Sequence, residues 1–156
     1  MRRALRAVVT LAAAGVMGVA GAGAAQASAY GASPISPFSY TTSTGTKSVP
    51  YGCALVHSIS GSGINITAQT ATVDCAGWAA MRDRLFCDAR VVFTFTDTAG
   101  KRLDQDDDEL TGCRTLGIRL TNSDMPRDVK PGRACVTLYV NDEPTPRATS
   151  CHIISS

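Results

Sequence analysis

The sequence lacks the motifs that name a chemistry. It contains no GxSxG, no HExxH and no phosphate-binding glycine loop, so nothing in it points to a hydrolase serine, a zinc protease or a nucleotide site. Only two histidines occur, His57 and His152. Serines and aspartates are plentiful enough to pair with either, but availability is not a triad, and both are read as structural or surface residues. There is no CxxC and no Cys/His pair at zinc spacing, so neither a metal nor a cofactor is expected. Net charge is also small: 15 Lys+Arg against 13 Asp+Glu give +2. Arg2, Arg3 and Arg6 stand at the very start, and without them the balance is 12 − 13 = −1. A near-neutral chain offers no basic stripe to nucleic acid and no attraction to an anionic membrane.

Those arginines open a segment with the grammar of a secretory leader. Ala7 to Ala25 is almost wholly Ala, Val, Leu and Gly, and Ala27-Ser28-Ala29 is an A-x-A cleavage site. Residues 1–29 are therefore expected to be a signal peptide of the Sec type, and the protein to be secreted and extracellular. A transmembrane anchor is the alternative, against which the Gly/Ala content and the adjoining cleavage motif argue. All six cysteines follow the leader. An even count in a short exported chain implies a disulfide framework, with no thiol left as a nucleophile.

The stretch from Cys135 to Cys151 shows how that framework is built. Two β-type runs flank the turn cluster Asn141-Asp142-Glu143-Pro144-Thr145. Folding about Glu143 sets Cys135 opposite Cys151 and Thr137 opposite Thr149, and turns Val136, Leu138 and Val140 to the other face, the one to be buried. Such a bridge closes a loop of about 15 residues and stabilises by roughly 3 kcal/mol in the chain-entropy picture. Cys87 to Asp97 alternates Val91, Phe93 and Phe95 against Val92, Thr94 and Thr96, the clearest strand of the chain. Folding about Gly100 brings Cys87 to Cys113. Ala54 to Ile59, Ile64 to Val73 and Arg114 to Asn122 add further strands. Residues 122–132, with Pro126 and Pro131, read as a surface loop. Together these predict an all-β fold, a small antiparallel β-sandwich or barrel with three disulfides, over residues 53–156. The pairing Cys53–Cys75, Cys87–Cys113 and Cys135–Cys151 brackets one hairpin each, with Cys75–Cys87 as the rival.

Three stretches are harder to place. Residues 30–52 are dense in Ser, Thr, Gly and Pro with one charge, Lys47. They read as an extended, flexible segment without a core of its own, either a plain terminus or a docking peptide presenting Phe38, Tyr40 and Thr42 on one side to another secreted protein. Between Cys75 and Phe86, Trp78, Met81 and Leu85 fit one face of a short helix or an irregular loop, with Trp78 assigned to core packing rather than to a ligand platform. Asp104 to Glu109 is the densest charge cluster. Asp104, Asp106 and Asp108 match the first ligand positions of an EF-hand, but the Gly and Glu that complete one are replaced by Glu109 and Thr115, so a solvated acidic loop is expected rather than a calcium site. The loop 141–147, with Asp142, Glu143, Pro144 and Arg147, is stiffened by two prolines and suits the inhibitory loop of a hydrolase inhibitor.

Cys135-Val-Thr-Leu-Tyr139 and its spacing to Cys151 resemble the first disulfide hairpin of the small secreted actinobacterial α-amylase inhibitors of the tendamistat type. Their Trp-Arg-Tyr tip is here Asp142-Glu143-Pro144, and no site residue is carried over. Cys87-Asp-Ala-Arg-Val-Val-Phe, Ala134-Cys-Val-Thr-Leu-Tyr-Val-Asn141 and Ser150-Cys-His152 look like small exported actinobacterial proteins, one group of which serves as the adaptor of umbrella-shaped toxin particles. That resemblance implies an adaptor whose N-terminal segment docks a lectin-like subunit. The functional expectation is a non-enzymatic secreted binding module, with hydrolase inhibition and a small antibacterial effector as alternatives.

Overall fold

The computed structural model describes residues 28–155. The expected leader, apart from Ser28 and Ala29, lies outside the described residues. Eleven strands and one helical turn follow in order: β1 (Ala29–Pro34), β2 (Phe38–Thr42), β3 (Gly45–Val49), β4 (Cys53–Ser62), β5 (Asn65–Cys75), α1 (Gly77–Ala80), β6 (Phe86–Asp97), β7 (Arg102–Arg114), β8 (Ile118–Thr121), β9 (Arg127–Asp128), β10 (Gly132–Val140) and β11 (Ala148–Ile154). One sheet runs β1-β4-β5-β8, with β9 also paired to β5; the other runs β11-β10-β6-β7; β2 and β3 form a separate hairpin. The strand pairs are antiparallel. The two larger sheets pack face to face as a sandwich, with β1 against β11 at one side and β7 against β8 at the other.

Period-two patterning puts the core between the sheets. Val136, Leu138 and Val140 of β10, Val91 and Phe93 of β6, Leu55 of β4, Val73 of β5 and Ile118 and Leu120 of β8 are buried together. A smaller cluster of Ile59, Ile66, Phe95, Ala134 and Ile154 extends the core. Cys53–Cys75, Cys87–Cys113 and Cys135–Cys151 each join residues directly opposite one another on neighbouring strands. The rival bridge Cys75–Cys87 is not formed. Asn141 and Asp142 both take positive φ, 59° and 53°, and turn the chain at the start of the connection from β10 to β11, closed by the Glu143 N–H on the Val140 carbonyl at 3.2 Å.

Three expectations are corrected. Residues 30–52 are not a flexible segment outside the domain, and the fold does not start at Cys53. β1 adds a full strand to β4, and Ile35, Tyr40 and Val49 are buried in the main core. Scattered single apolar residues in a polar segment suffice once a neighbouring sheet supplies the rest of the core. The acidic run is not a loop. Asp104 to Glu109 lies within β7 and pairs with β6, and the surplus length is taken up by register shifts at Cys87/Ala89 and Phe95/Thr96. The loop 122–132 contains a short strand, and its first residue, Asn122, is buried.

The two sides of the sandwich are closed by side chains reaching for backbone. At the β7–β8 side, Asp108 accepts from the Thr121 N–H at 2.8 Å, and Asp106 from the N–H and hydroxyl of Ser123 at 2.9 and 3.1 Å. Carboxylates thus occupy the donors of an edge strand that would otherwise stand open for pairing. At the β1–β11 side, the His152 ring reaches across to the His57 carbonyl at 3.1 Å. Gly31 on β1 makes room for it, since a Cβ there would stand 2.9 Å from that ring.

Candidate functional site

Both stretches singled out for binding fall at one end of the sandwich. Tyr40 is buried, and its hydroxyl donates to the Leu85 carbonyl and accepts from the Cys87 N–H, both at 2.8 Å. Burial pushes its phenol up, and the Cys87 hydrogen bond opposes that. Phe38 is half-buried between Tyr40, at 5.7 Å between ring centres, and Phe86, at 6.4 Å. Thr42 caps its own turn by donating to the Gly45 carbonyl at 2.9 Å. These side chains fasten β2–β3 over the end of the core, so Phe38 and Tyr40 are not the presented face of a docking peptide.

The loop 141–147 is tied to the same hairpin. Asn141 donates to the Thr41 carbonyl at 3.1 Å. Arg147 lies over the Phe38 ring at 4.2 Å and is paired to Glu143. Asp142, Pro144, Thr145 and Pro146 remain exposed. The loop is therefore held at both ends, with an acid and two prolines left at its surface.

Beside this hairpin lies the feature that sequence reasoning assigned to the core. Trp78 on α1 is 60% exposed, Met81 75% and Tyr51 82%. α1 is a single turn, too short to bury a face of its own, and only Ala79 of it is buried. Between α1 and β2–β3 opens a cleft of about 320 Å³ lined by Pro37, Phe38, Ser39, Val49, Pro50 and Trp78, with Ser48 and Arg82 completing it. Tyr51 follows Pro50 directly, and the next residue, Gly52, receives a hydrogen bond on its carbonyl from the Ala76 N–H at 2.8 Å. Arg82 covers one side of the Trp78 ring at 5.0 Å and has no ion-pair partner among the described residues. Trp, Tyr, Met and Arg are the side chains enriched where proteins bind one another. The sequence signal that points here is weak: Trp78, Met81 and Leu85 share one helical face over barely two turns, and only Leu85 of the three is buried.

The two histidines meet inside the fold. Their ring centres are 4.6 Å apart. His57 and Gln69 are fully buried, and Gln69 links His57 Nε2, at 3.0 Å, to the Asn122 side-chain amide, at 2.9 Å. Because Gln69 accepts from Asn122 through Oε1, its NH₂ faces His57, so His57 Nε2 accepts and the ring proton sits on Nδ1. Burial drives the His57 imidazole down to about 3, the neighbouring His152 adds to this, and the Ser150 backbone opposes it. Neither imidazole is hydrogen-bonded to a carboxylate or a hydroxyl among the described residues.

Three acids of the β7 row, Asp104, Asp106 and Asp108, are spent on structure. Asp106 and Asp108 hold the β8 side, and Asp104 pairs with Arg127, which stacks on Phe95 at 4.7 Å. Burial raises the Asp104 carboxyl, but the Arg127 hydrogen bond and charge and the Gln105 backbone outweigh it and hold it below its ordinary value.

The fold and this end of it define a class: a three-disulfide antiparallel β-sandwich with an exposed aromatic patch beside a shallow cleft. Comparison with protein-family models, with curated proteins and with solved structures returned no match. No helix among the described residues is long and apolar enough to cross a membrane.

Proposed function

We propose that this protein is an exported, non-enzymatic binding module, an adaptor in an extracellular assembly of the toxin type, and that it docks other secreted proteins through the Trp78 end of the sandwich. One observation carries the reading: Tyr51, Trp78 and Met81 stand exposed around a cleft on a framework held by three disulfides. A side chain as large as Trp, left in water on a rigid surface, costs little entropy to bind and has most to gain from being covered. The leader grammar and the bridges support export. The partner-binding role expected of Phe38, Tyr40 and Thr42 passes, in this reading, to the surface they support.

The test uses the exported chain and its Trp78→Ala variant as baits among the secreted proteins of the producing cell. A stoichiometric partner held by the first and lost by the second supports the reading. Equal capture by both, or capture by neither, overturns it.

A second reading has its own observation. The loop 141–147 is fastened by Arg147 to Phe38 and by Asn141 to Thr41, the pre-stiffening that an inhibitor of a secreted hydrolase needs. Inhibition of a protease or glycosidase that is lost on Pro144→Gly would favour it over docking at Trp78.

A further inference from the structure

We infer that the first occupant of the Trp78 cleft is a second copy of this chain, joined in a two-fold dimer in which the exposed loop Asp142–Pro146 of each protomer enters the cleft of the other. The inference rests on the reading of that cleft as a docking surface and names what docks there.

The two halves of the contact are complementary. The cleft offers Trp78, Phe38 and prolines as apolar walls and Arg82 as a cation with no ion-pair partner among the described residues. The loop offers Pro144 and Pro146 exposed, and Asp142 exposed with neither an ion pair nor a hydrogen bond from its side chain among the described residues. Aromatic-lined grooves take up proline-containing segments because those segments are already stiff. This one is stiffened further by the turn at Asn141 and Asp142 and by Arg147 on Phe38. An unpaired acid meeting an unpaired arginine fixes the register of the contact.

Placement decides the symmetry. Phe38 both lines the cleft and carries Arg147 of the loop, so donor and acceptor belong to one continuous patch. A self-complementary patch of that kind closes under a two-fold axis. A loop and cleft on opposite ends would instead have propagated head to tail into a filament. With a net charge of −1 once the leader arginines are gone, general repulsion does not oppose the pairing.

Sedimentation equilibrium of the exported chain between about 1 μM and 1 mM reads the outcome. The expected result is a rise from one chain mass to two. Asp142→Arg and Arg82→Asp are each expected to weaken dimerisation at least tenfold. Mixing the two variants restores it, because each loop then meets a cleft of opposite sign. Asp142→Asn keeps a residue that tolerates positive φ at the turn and is expected to weaken the dimer as well, which separates loss of charge from a damaged turn. One chain mass throughout, or a dimer indifferent to both single charge changes, overturns the inference. If the chain stays monomeric while Trp78→Ala still loses a captured secreted partner, the self-pairing falls and the docking surface stands. If the dimer forms as described but no other protein is captured, the adaptor reading falls alone.

Discussion

The Arg147 guanidinium lies 4.2 Å from the centre of the Phe38 ring, and through that contact the last hairpin of the chain holds down the first. Phe38 in turn rests on Phe86 of β6. The N-terminal hairpin is therefore clasped from both sides, and the surface next to it, with Trp78 and the cleft, inherits its position from this clasp.

Removing residues up to 52 should abolish the fold rather than shorten a tail. The truncation deletes β1 and takes Ile35, Tyr40 and Val49 out of the core. Burying a side chain of this size contributes roughly 1.5–3 kcal/mol, so three of them plus a strand match the whole stability of a small domain. Circular dichroism during urea titration of the 53–156 fragment is expected to show no cooperative transition. A transition with the midpoint of the longer chain would mean that the first three strands are dispensable.

Tyr40→Phe isolates one bond pair within that clasp. The ring stays, the hydroxyl goes, and the Cys87 N–H and Leu85 carbonyl lose their partner inside the core. An unsatisfied buried donor costs about 1–3 kcal/mol. The loss should appear as a lower urea midpoint with an unchanged slope. A midpoint equal to that of the parent chain would show that the hydroxyl bonds contribute nothing net.

At the opposite side of the sandwich, Asp108→Ala should open β8. Thr121 loses the acceptor of its N–H, and an exposed edge strand gains a free donor. The site is near the surface, so the expected cost is only about 1 kcal/mol, but amide exchange at Thr121 should accelerate well beyond the global change. Unaltered exchange there would count against the carboxylate as the clasp of that edge.

The hairpin Cys135–Cys151 was readable because period two fixes everything at once: a bridge, a register and a buried face followed from one fold point, and Val136, Leu138 and Val140 are all fully buried. Residues 30–52 are not readable, because their buried residues are isolated and the surface they cover lies elsewhere in the chain, as in the pairing of β1 with β4 and the bond of Tyr40 to the Leu85 carbonyl. The acidic row defeated composition for a related reason. Asp106 and Asp108 belong to a strand edge where the carboxylates have backbone donors to serve, and no count of charges shows which donors a neighbouring strand leaves open. The shared face of Trp78, Met81 and Leu85 points Trp78 inward, but a one-turn helix has no inward face large enough for it.

The three bridges should differ in their resistance to reduction. Cys53 and Cys87 are buried, whereas Cys135 is half-buried and Cys151 exposed on the outer face of its sheet. Thiol–disulfide exchange needs access for the attacking thiolate. Mild dithiothreitol on the native protein, followed by alkylation and peptide mapping, should label Cys135 and Cys151 first. Labelling of Cys53 or Cys87 ahead of them would show that the core opens more readily than the surface bridge reacts.

Acid should destabilise the fold through His57, and the sign follows from its site. Folded, the imidazole resists protonation down to about 3, against 6.5 in an unfolded chain. Between those values the unfolded chain binds a proton that the folded chain refuses, so stability rises with pH across the window and falls as pH drops through it. The penalty is absent above about 6.5 and complete near 3, of the order of 4–5 kcal/mol. Of the groups packed against the ring, only the Ser150 backbone favours its charged form; Gln69 donates to Nε2, and the His152 ring 4.6 Å away disfavours a proton on His57. Carboxylates such as Asp104, held below its ordinary value, add an acid loss of the same sign at lower pH, so the measurement has to be a difference. Unfolding free energies of the parent chain and of His57→Leu, taken from pH 7 to about 3.5, should converge as pH falls, because the variant loses the Gln69 bond at every pH but has no ring to protonate. Parallel curves would mean that another group carries the acid sensitivity and that the buried imidazole is not its source.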